Sequence, residues 1–308
     1  VPVKVLDPMS DWNQPQSFEE LAYARFDTLL KQTVENNKQL VIFYSGGIDS
    51  TLIAALAIAH PDFNKYRSNM LLVLSEDSIT ENPYFWHDHL IPAFKDRIGN
   101  AAGFHSYIAN ENNVCVTGEF ADNIFGSLTL KSYMDVTGDT NAIHKSFNDT
   151  GLPWLLKKVQ NPSHVDACAD LIQSILQTHP GACLTNHDCF WWLNFVLKWQ
   201  AVKFRLVSHA PTPELVNAMA QKVVHFFETA EFQNWAVQTT EEKVQDTWFS
   251  YKLPAKKIIH SINGDDRYFH YKTKYPSIPS LTRYSNMYDF IYWDQDNNNY
   301  VASKDWLL

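Results

Sequence analysis

The sequence predicts an α/β fold: a mostly parallel sheet with helices on both faces, followed by a mainly helical C-terminal region. Three observations predict it. Strand-like and helix-like segments alternate through the first part of the chain, the pattern of strands joined by crossover helices. The apolar run Leu40-Val41-Ile42-Phe43-Tyr44 enters the glycine pair Gly46-Gly47 and then a helical run from Ile48. A second apolar run, Val114-Cys115-Val116, ends in the small turn Thr117-Gly118.

The elements follow in order. Ser17-Phe18-Glu19-Glu20 has the form of a capping box, with Ser17 accepting an N–H and Glu20 reaching back. Phe18, Ala22, Phe26, Leu29, Leu30 and Val34 recur at helical spacing, which predicts an amphipathic helix over 17–36. Strand 39–44, helix 48–60, strand 69–75, helix 81–98 and strand 113–117 come next. Between the second strand and that longer helix, Ser75 to Pro83 reads as a turn plus a helix cap, with lining of a substrate pocket as the other use. Beyond about residue 130 the pattern turns helical and rich in aromatics, and Phe190 to Trp199 reads as a core helix. Phe290–Trp293 and Tyr300–Val301, around the polar run Asp294 to Asn299, predict a hairpin. The chain therefore divides into an N-terminal segment and helix (1–38), an α/β core (39–130) and a mainly helical remainder (131–308).

Composition narrows the function. With 308 residues the chain can bury a large core without staples. Its net charge of −9 repels nucleic acid overall, so a polynucleotide partner would need a local basic patch. The 4 cysteines, at 115, 168, 183 and 189, form no paired framework, which points to a reducing cytoplasmic setting. The apolar stretch Cys189 to Val207 is interrupted by Lys198, Lys203 and Arg205 and reads as a buried helix rather than a membrane span. The start, Val1 to Leu6, lacks signal-peptide architecture.

A strand that runs through two glycines into a helix N-terminus is a phosphate cradle. Glycines let the backbone approach an anion, while free N–H groups and the helix dipole favour negative charge. Asp49 within such a cradle calls for a cation between carboxylate and phosphate, and Mg²⁺ is the hard ion that bridges them. If the strand ending at Thr117 neighbours the first, Asp122 leaves the same edge of the sheet as Asp49. Two carboxylates on adjacent loops can then clamp one Mg²⁺. His164, Cys168, Cys183, His187 and Cys189 have letters that zinc uses, but buried cysteines and hydrogen-bonded histidines account for them more simply. His87 and His89 face different ways on a helix.

Ser45-Gly46-Gly47-Ile48-Asp49-Ser50 resembles SGGxDS, the signature loop of the ATP pyrophosphatases (PP-loop superfamily). Thr117-Gly118-Glu119-Phe120-Ala121-Asp122-Asn123-Ile124-Phe125-Gly126 is similar to the SGEGADExFGGY segment of the synthetase domain of asparagine synthetase. Gly118, Glu119, Ala121, Asp122, Phe125 and Gly126 match, whereas Phe120 replaces a glycine and Asn123 an acid. β-Lactam synthetase is a near relative with a tyrosine at the position of Glu119, so the acid here leans toward asparagine synthetase.

The resemblance implies an adenine nucleotide alpha hydrolase-like fold. It places ATP on Ser45, Gly46, Gly47, Asp49 and Ser50, adenine against backbone near Phe43, Leu74, Thr117 and Gly118, and Mg²⁺ on Asp49 and Asp122. Downstream the family carries a lysine four residues before an arginine, then a lysine that serves the reaction. Lys256 is similar to the first, with His260 in the arginine's place, and Lys274 to the second. Lys257 and Lys272 remain alternatives.

The implied chemistry is amide ligation. A substrate carboxylate attacks the α-phosphorus of ATP, pyrophosphate leaves, and ammonia or another amine displaces AMP. Glu119 would bind the nucleophile or take its proton, and Lys274 would steady developing charge. The sequence begins at Val1 and its first cysteine is Cys115, so the synthetase portion is expected to work without the family's glutaminase domain, which carries an N-terminal cysteine. Free ammonia, another amine or a separate ammonia source is expected. Two other readings keep the loop: adenylation of a tRNA or modified base, and a nucleotide-binding subunit without turnover.

Overall fold

A computed structural model describes residues 16–126, 128–208, 210, 212–239, 242–245, 247–272, 290–294 and 299–303. In chain order, α1 (Phe18–Glu35), β1 (Gln39–Phe43), α2 (Ile48–Ala59), β2 (Met70–Leu74) and α3 (Glu76–Glu81) are followed by β3 (Ile98–Asn100), α4 (Phe104–Ala109) and β4 (Asn113–Thr117). Next come α5 (Ala121–Phe125), α6 (Leu128–Thr137), α7 (Val165–Leu176), α8 (Asn186–Ser208), α9 (Pro213–Lys222) and β5 (Val223–His225). The last elements are α10 (Ala230–Gln238), α11 (Leu253–Asn263), α12 (Asp266–Tyr271), β6 (Phe290–Asp294) and β7 (Asn299–Ser303), with short helical turns between several of these.

Five parallel strands form one sheet in the order β3-β2-β1-β4-β5. β1 is central, and Leu40, Val41 and Ile42 are buried completely, which is why it reads as an unbroken apolar run. α2 is apolar all round, from Leu52 to Ala57, because it too lies wholly inside. β1 pairs with β2 on one side and β4 on the other, so the strand order reverses between β1 and β4. Ligands of open α/β sheets sit beyond the carboxyl ends of the strands at such a switch point. β6 and β7 form an antiparallel hairpin that pairs Tyr292 with Val301, as the polar loop between apolar runs predicts.

The chain forms two compact units. The sheet unit comprises Phe18–Gly118, His209–Phe226 and Pro254–Leu308. The helical unit comprises Val1–Ser17, Glu119–Ser208 and Phe227–Leu253. Its core is aromatic: Phe190, Trp191, Phe195 and Trp199 of α8 are buried, and the Trp192 and Phe195 rings stack with centroids 5.4 Å apart. Among the described residues no helix is long and apolar enough to cross a membrane.

The single helix expected over 81–98 is not formed. Pro83 starts a new turn capped by the Asn82 side chain, a π-turn spans Trp86–Leu90, and the helical path stops at Lys95, whose φ is +50°. Prolines at 83 and 92 remove backbone donors, and Ile98 instead pairs with Leu72 to start β3. β5 also arises within the stretch expected to be helical. Cys115 pairs with Val223 there, adding a fifth strand.

Candidate functional site

The glycine loop is built as its sequence requires. Tyr44 N–H donates to Val73 O at 2.8 Å, ending the strand in register. Gly46 then takes φ +78°, and a side chain there would meet Ser78 O at 2.4 Å and Glu81 Cβ at 2.7 Å. Only glycine satisfies both the dihedral and the space. Gly47 occupies the N-cap of α2 in extended conformation, with no side-chain cap on the helix. First-turn N–H groups at such an uncapped end are the donors an anion uses.

Two hydroxyls hold the loop's shape. Ser50 Oγ accepts from Ser45 N–H at 3.0 Å and donates to Gly47 O at 3.2 Å. Thr51 Oγ1 donates to Gly46 O at 3.3 Å. Ser50 is buried, and its hydroxyl serves the loop backbone. Ser45 is exposed and Asp49 half-exposed on the first turn of α2.

The expected adenine residues lie at the ends of neighbouring strands. Phe43 closes β1 with its ring 4.6 Å from that of Phe104, and Leu74 closes β2, buried. Thr117 closes β4, its hydroxyl 2.8 Å from Nδ1 of His225. Gly118 abuts the glycine loop itself: a Cβ there would lie 2.8 Å from Asp49 Cβ. The sheet unit thus brings Phe43, Leu74, Thr117 and Gly118 to the edge that carries Asp49.

The same unit adds Glu81, which sequence reading did not single out, to the lysines it did. Glu81, at the end of α3, lies against Gly46, and its Oε1 is 3.8 Å from where a Gly47 Cβ would be. Lys272 Nζ donates to Glu81 Oε1 at 2.9 Å and to Glu81 O at 3.3 Å. Lys256 is fully buried on α11, and burial, with the charge of Lys272, pulls its ammonium pKa down to about 8. Lys257 is exposed, His260 pairs with Asp266 at 2.8 Å, and Lys274 lies outside the described residues.

Tyr44 and Tyr268 bury their hydroxyls without a geometrically good hydrogen bond, and burial pushes both phenols upward. The Thr51 side chain offsets part of that rise for each phenol. Tyr44 sits beside the loop motif and could have been suspected. Glu81 and Tyr268 carry no local signal, because only tertiary folding brings them to the loop.

The helical unit holds the second motif. Phe120 takes φ +71°, a left-handed conformation that favours glycine, and its buried ring packs on Trp199 at 4.7 Å. Gly126 takes φ +108°. Between them, Asp122 is heavily engaged. Its Oδ1 accepts from Lys252 Nζ at 3.0 Å and Tyr251 OH at 3.2 Å, and its Oδ2 from Lys198 Nζ at 3.2 Å. Asn194 donates to Asp122 O and Trp191 to Ile124 O, tying α5 to α8. Glu119 is half-exposed just before this segment.

Asp49 presents a hard oxygen donor beside an anion cradle, which fits Mg²⁺ shared with phosphate oxygens. Asp122 is less suited to hold a metal ion, since two ammonium groups already neutralise it. Asp49 belongs to the sheet unit and Asp122 to the helical unit. Among the described residues no group of three or more His, Cys, Asp or Glu stands ready to hold a metal. In the zinc-like set, Cys189 is buried and hydrogen-bonded with Cys183, and His187 is buried beside Asp188. His89 stacks on Phe85, and burial lowers its pKa.

No family model matches the chain, and no curated protein matches it at a significant level.

Proposed function

We propose that the chain is an asparagine synthetase-like, ATP-dependent carbon–nitrogen ligase that adenylates a carboxylate and passes the acyl group to ammonia or another amine. One observation carries the reading: the Ser45–Ser50 loop lies at the sheet's switch point, with Gly118 and Glu81 against it and Lys272 paired to Glu81.

In this scheme the N–H groups of the loop and of the first turn of α2 bind the phosphates of ATP. Gly46 and Gly47 let the backbone come close, and Ser50 holds the loop open in that shape. Adenine lies near Phe43, Leu74, Thr117 and Gly118. The substrate carboxylate attacks the α-phosphorus, and the bond to pyrophosphate breaks. Mg²⁺, when bound, would neutralise phosphate charge, with Asp49 as the residue that would hold it; Asp122, the other expected ligand, is already engaged by Lys198 and Lys252. Lys272 donates to the departing phosphate, and Lys256, buried and with its pKa lowered, lies within reach of the charge on Lys272. The amine then attacks the acyl carbon and AMP leaves, Glu119 taking the proton the amine gives up. Preorganised donors of this kind are worth about 2.7–4 kcal/mol each in barrier.

The test incubates the protein with ATP, Mg²⁺ and panels of acids and amines. Pyrophosphate and AMP are the expected products, dependent on Asp49. ADP and phosphate would overturn the adenylation scheme. A nucleotide-binding subunit without turnover is the second reading, favoured by the Lys198–Asp122–Lys252 cluster, which occupies the expected metal carboxylate. ATP binding without pyrophosphate release from any acid would select it.

A further inference from the structure

We propose that Glu81 is an internal counter-anion that gates the phosphate cradle by holding Lys272 until an anionic ligand displaces it. The inference rests on the nucleotide reading of the glycine loop and adds a specificity-determining residue to it.

The geometry is specific. Lys272 Nζ meets both the carboxylate of Glu81 at 2.9 Å and its backbone oxygen at 3.3 Å. The lysine side chain is only 10% exposed, whereas that of Glu81 is 34% exposed. An ammonium so covered needs a partner, and a more exposed carboxylate can leave at lower cost. Glu81 cannot drift far from the loop, because its Cβ packs at the site a Gly46 side chain would need. Its carboxylate therefore stands beside Gly47, at the backbone an incoming phosphate would use. A resident negative charge there repels a second one and occupies its cation. When phosphate binds, Lys272 exchanges one anion for another and Glu81 turns to water. Neutral or weakly anionic ligands gain nothing from that exchange, so the pair selects for multiply charged groups.

The experiment measures binding of ATP and of inorganic pyrophosphate to the full chain by calorimetry. Wild type is compared with E81Q, K272M and the double variant. Unfolding temperatures are recorded alongside, and E81A serves if E81Q unfolds. E81Q is expected to tighten both ligands about threefold to tenfold. K272M is expected to weaken them at least as much, and E81Q should change affinity less than about twofold in the K272M background. Equal or weaker binding by a folded E81Q, or the same gain with and without Lys272, overturns the gate alone. Failure of wild type to bind either ligand overturns the gate together with the nucleotide reading.

Discussion

Gly118 turns its bare α-carbon onto Asp49. A β-carbon there would stand 2.8 Å from Asp49 Cβ, 3.0 Å from the Asp49 carbonyl carbon and 3.1 Å from Ser50 N. The end of β4 is thus fitted to the first turn of α2, and two of the three contacts are with backbone that cannot rotate away. Gly118→Ala is expected to cost about 1–3 kcal/mol by overpacking. Thermal unfolding should fall by several degrees, and ATP binding should weaken beyond what Ser45→Ala causes. An alanine variant with wild-type binding and melting would show that this approach is not needed.

Phe120 sets two effects against each other. Its φ of +71° costs a non-glycine residue roughly 1 kcal/mol, while burying its ring against Trp199 is worth about 3–5 kcal/mol. The ring wins, which explains how a phenylalanine is held at a dihedral that favours glycine. Both Phe120→Gly and Phe120→Ala should destabilise. The glycine variant should be the more stable by about 1 kcal/mol in urea melts, reversing the usual order, because alanine loses the ring and keeps the strain.

Much of the sheet could be read directly. β1, the glycine loop and α2 form one apolar run, two glycines and a second apolar run, and nothing in tertiary structure alters that local pattern. β4 is legible for the same reason, but its adjacency to β1 rests on the pairing of Val41 with Cys115, which no local pattern encodes. β3 and β5 escaped because three residues are too few for any periodicity to register. The Glu81–Lys272 pair was invisible for another reason: its members are 191 residues apart. Asp122 was visible as an acid after a strand, but its lysines lie on segments that carry no motif.

Lys256 predicts a pH dependence of stability. Its folded pKa of about 8 lies below the ordinary lysine value of about 10.4. Between those values the unfolded chain holds a proton that the native state does not, so stability rises with pH across the window. Below about pH 8 both states are charged there and the burial penalty is felt in full. Lys256→Met should therefore stabilise the fold near pH 7, by up to about 2–3 kcal/mol, with the advantage vanishing near pH 10.5. Denaturant midpoints of the two proteins at pH 7, 9 and 10.5 check this, and a constant difference would refute it.

Asp122 is the counter-charge of a nearly covered ammonium. The Lys252 side chain is 1% exposed, its backbone holds φ +60°, and its Nζ reaches Asp122 Oδ1 at 3.0 Å. Lys198 closes on the other carboxylate oxygen from α8 at 3.2 Å. Removing the carboxylate leaves Lys252 charged in a dry setting, for which buried pairs typically lose about 3–5 kcal/mol. Asp122→Asn should therefore cost several kcal/mol in stability, far above the effect of neutralising a surface acid. Lys252→Met should cost less, since Asp122 keeps Lys198, Tyr251 and access to water. The double variant should be more stable than the sum of the single losses by about 1–3 kcal/mol, because the second change removes the charge that Asp122→Asn strands on Lys252. Strict additivity would mean that the two side chains do not depend on one another. Asp122 would then be at liberty to serve as a metal ligand without loss to the fold.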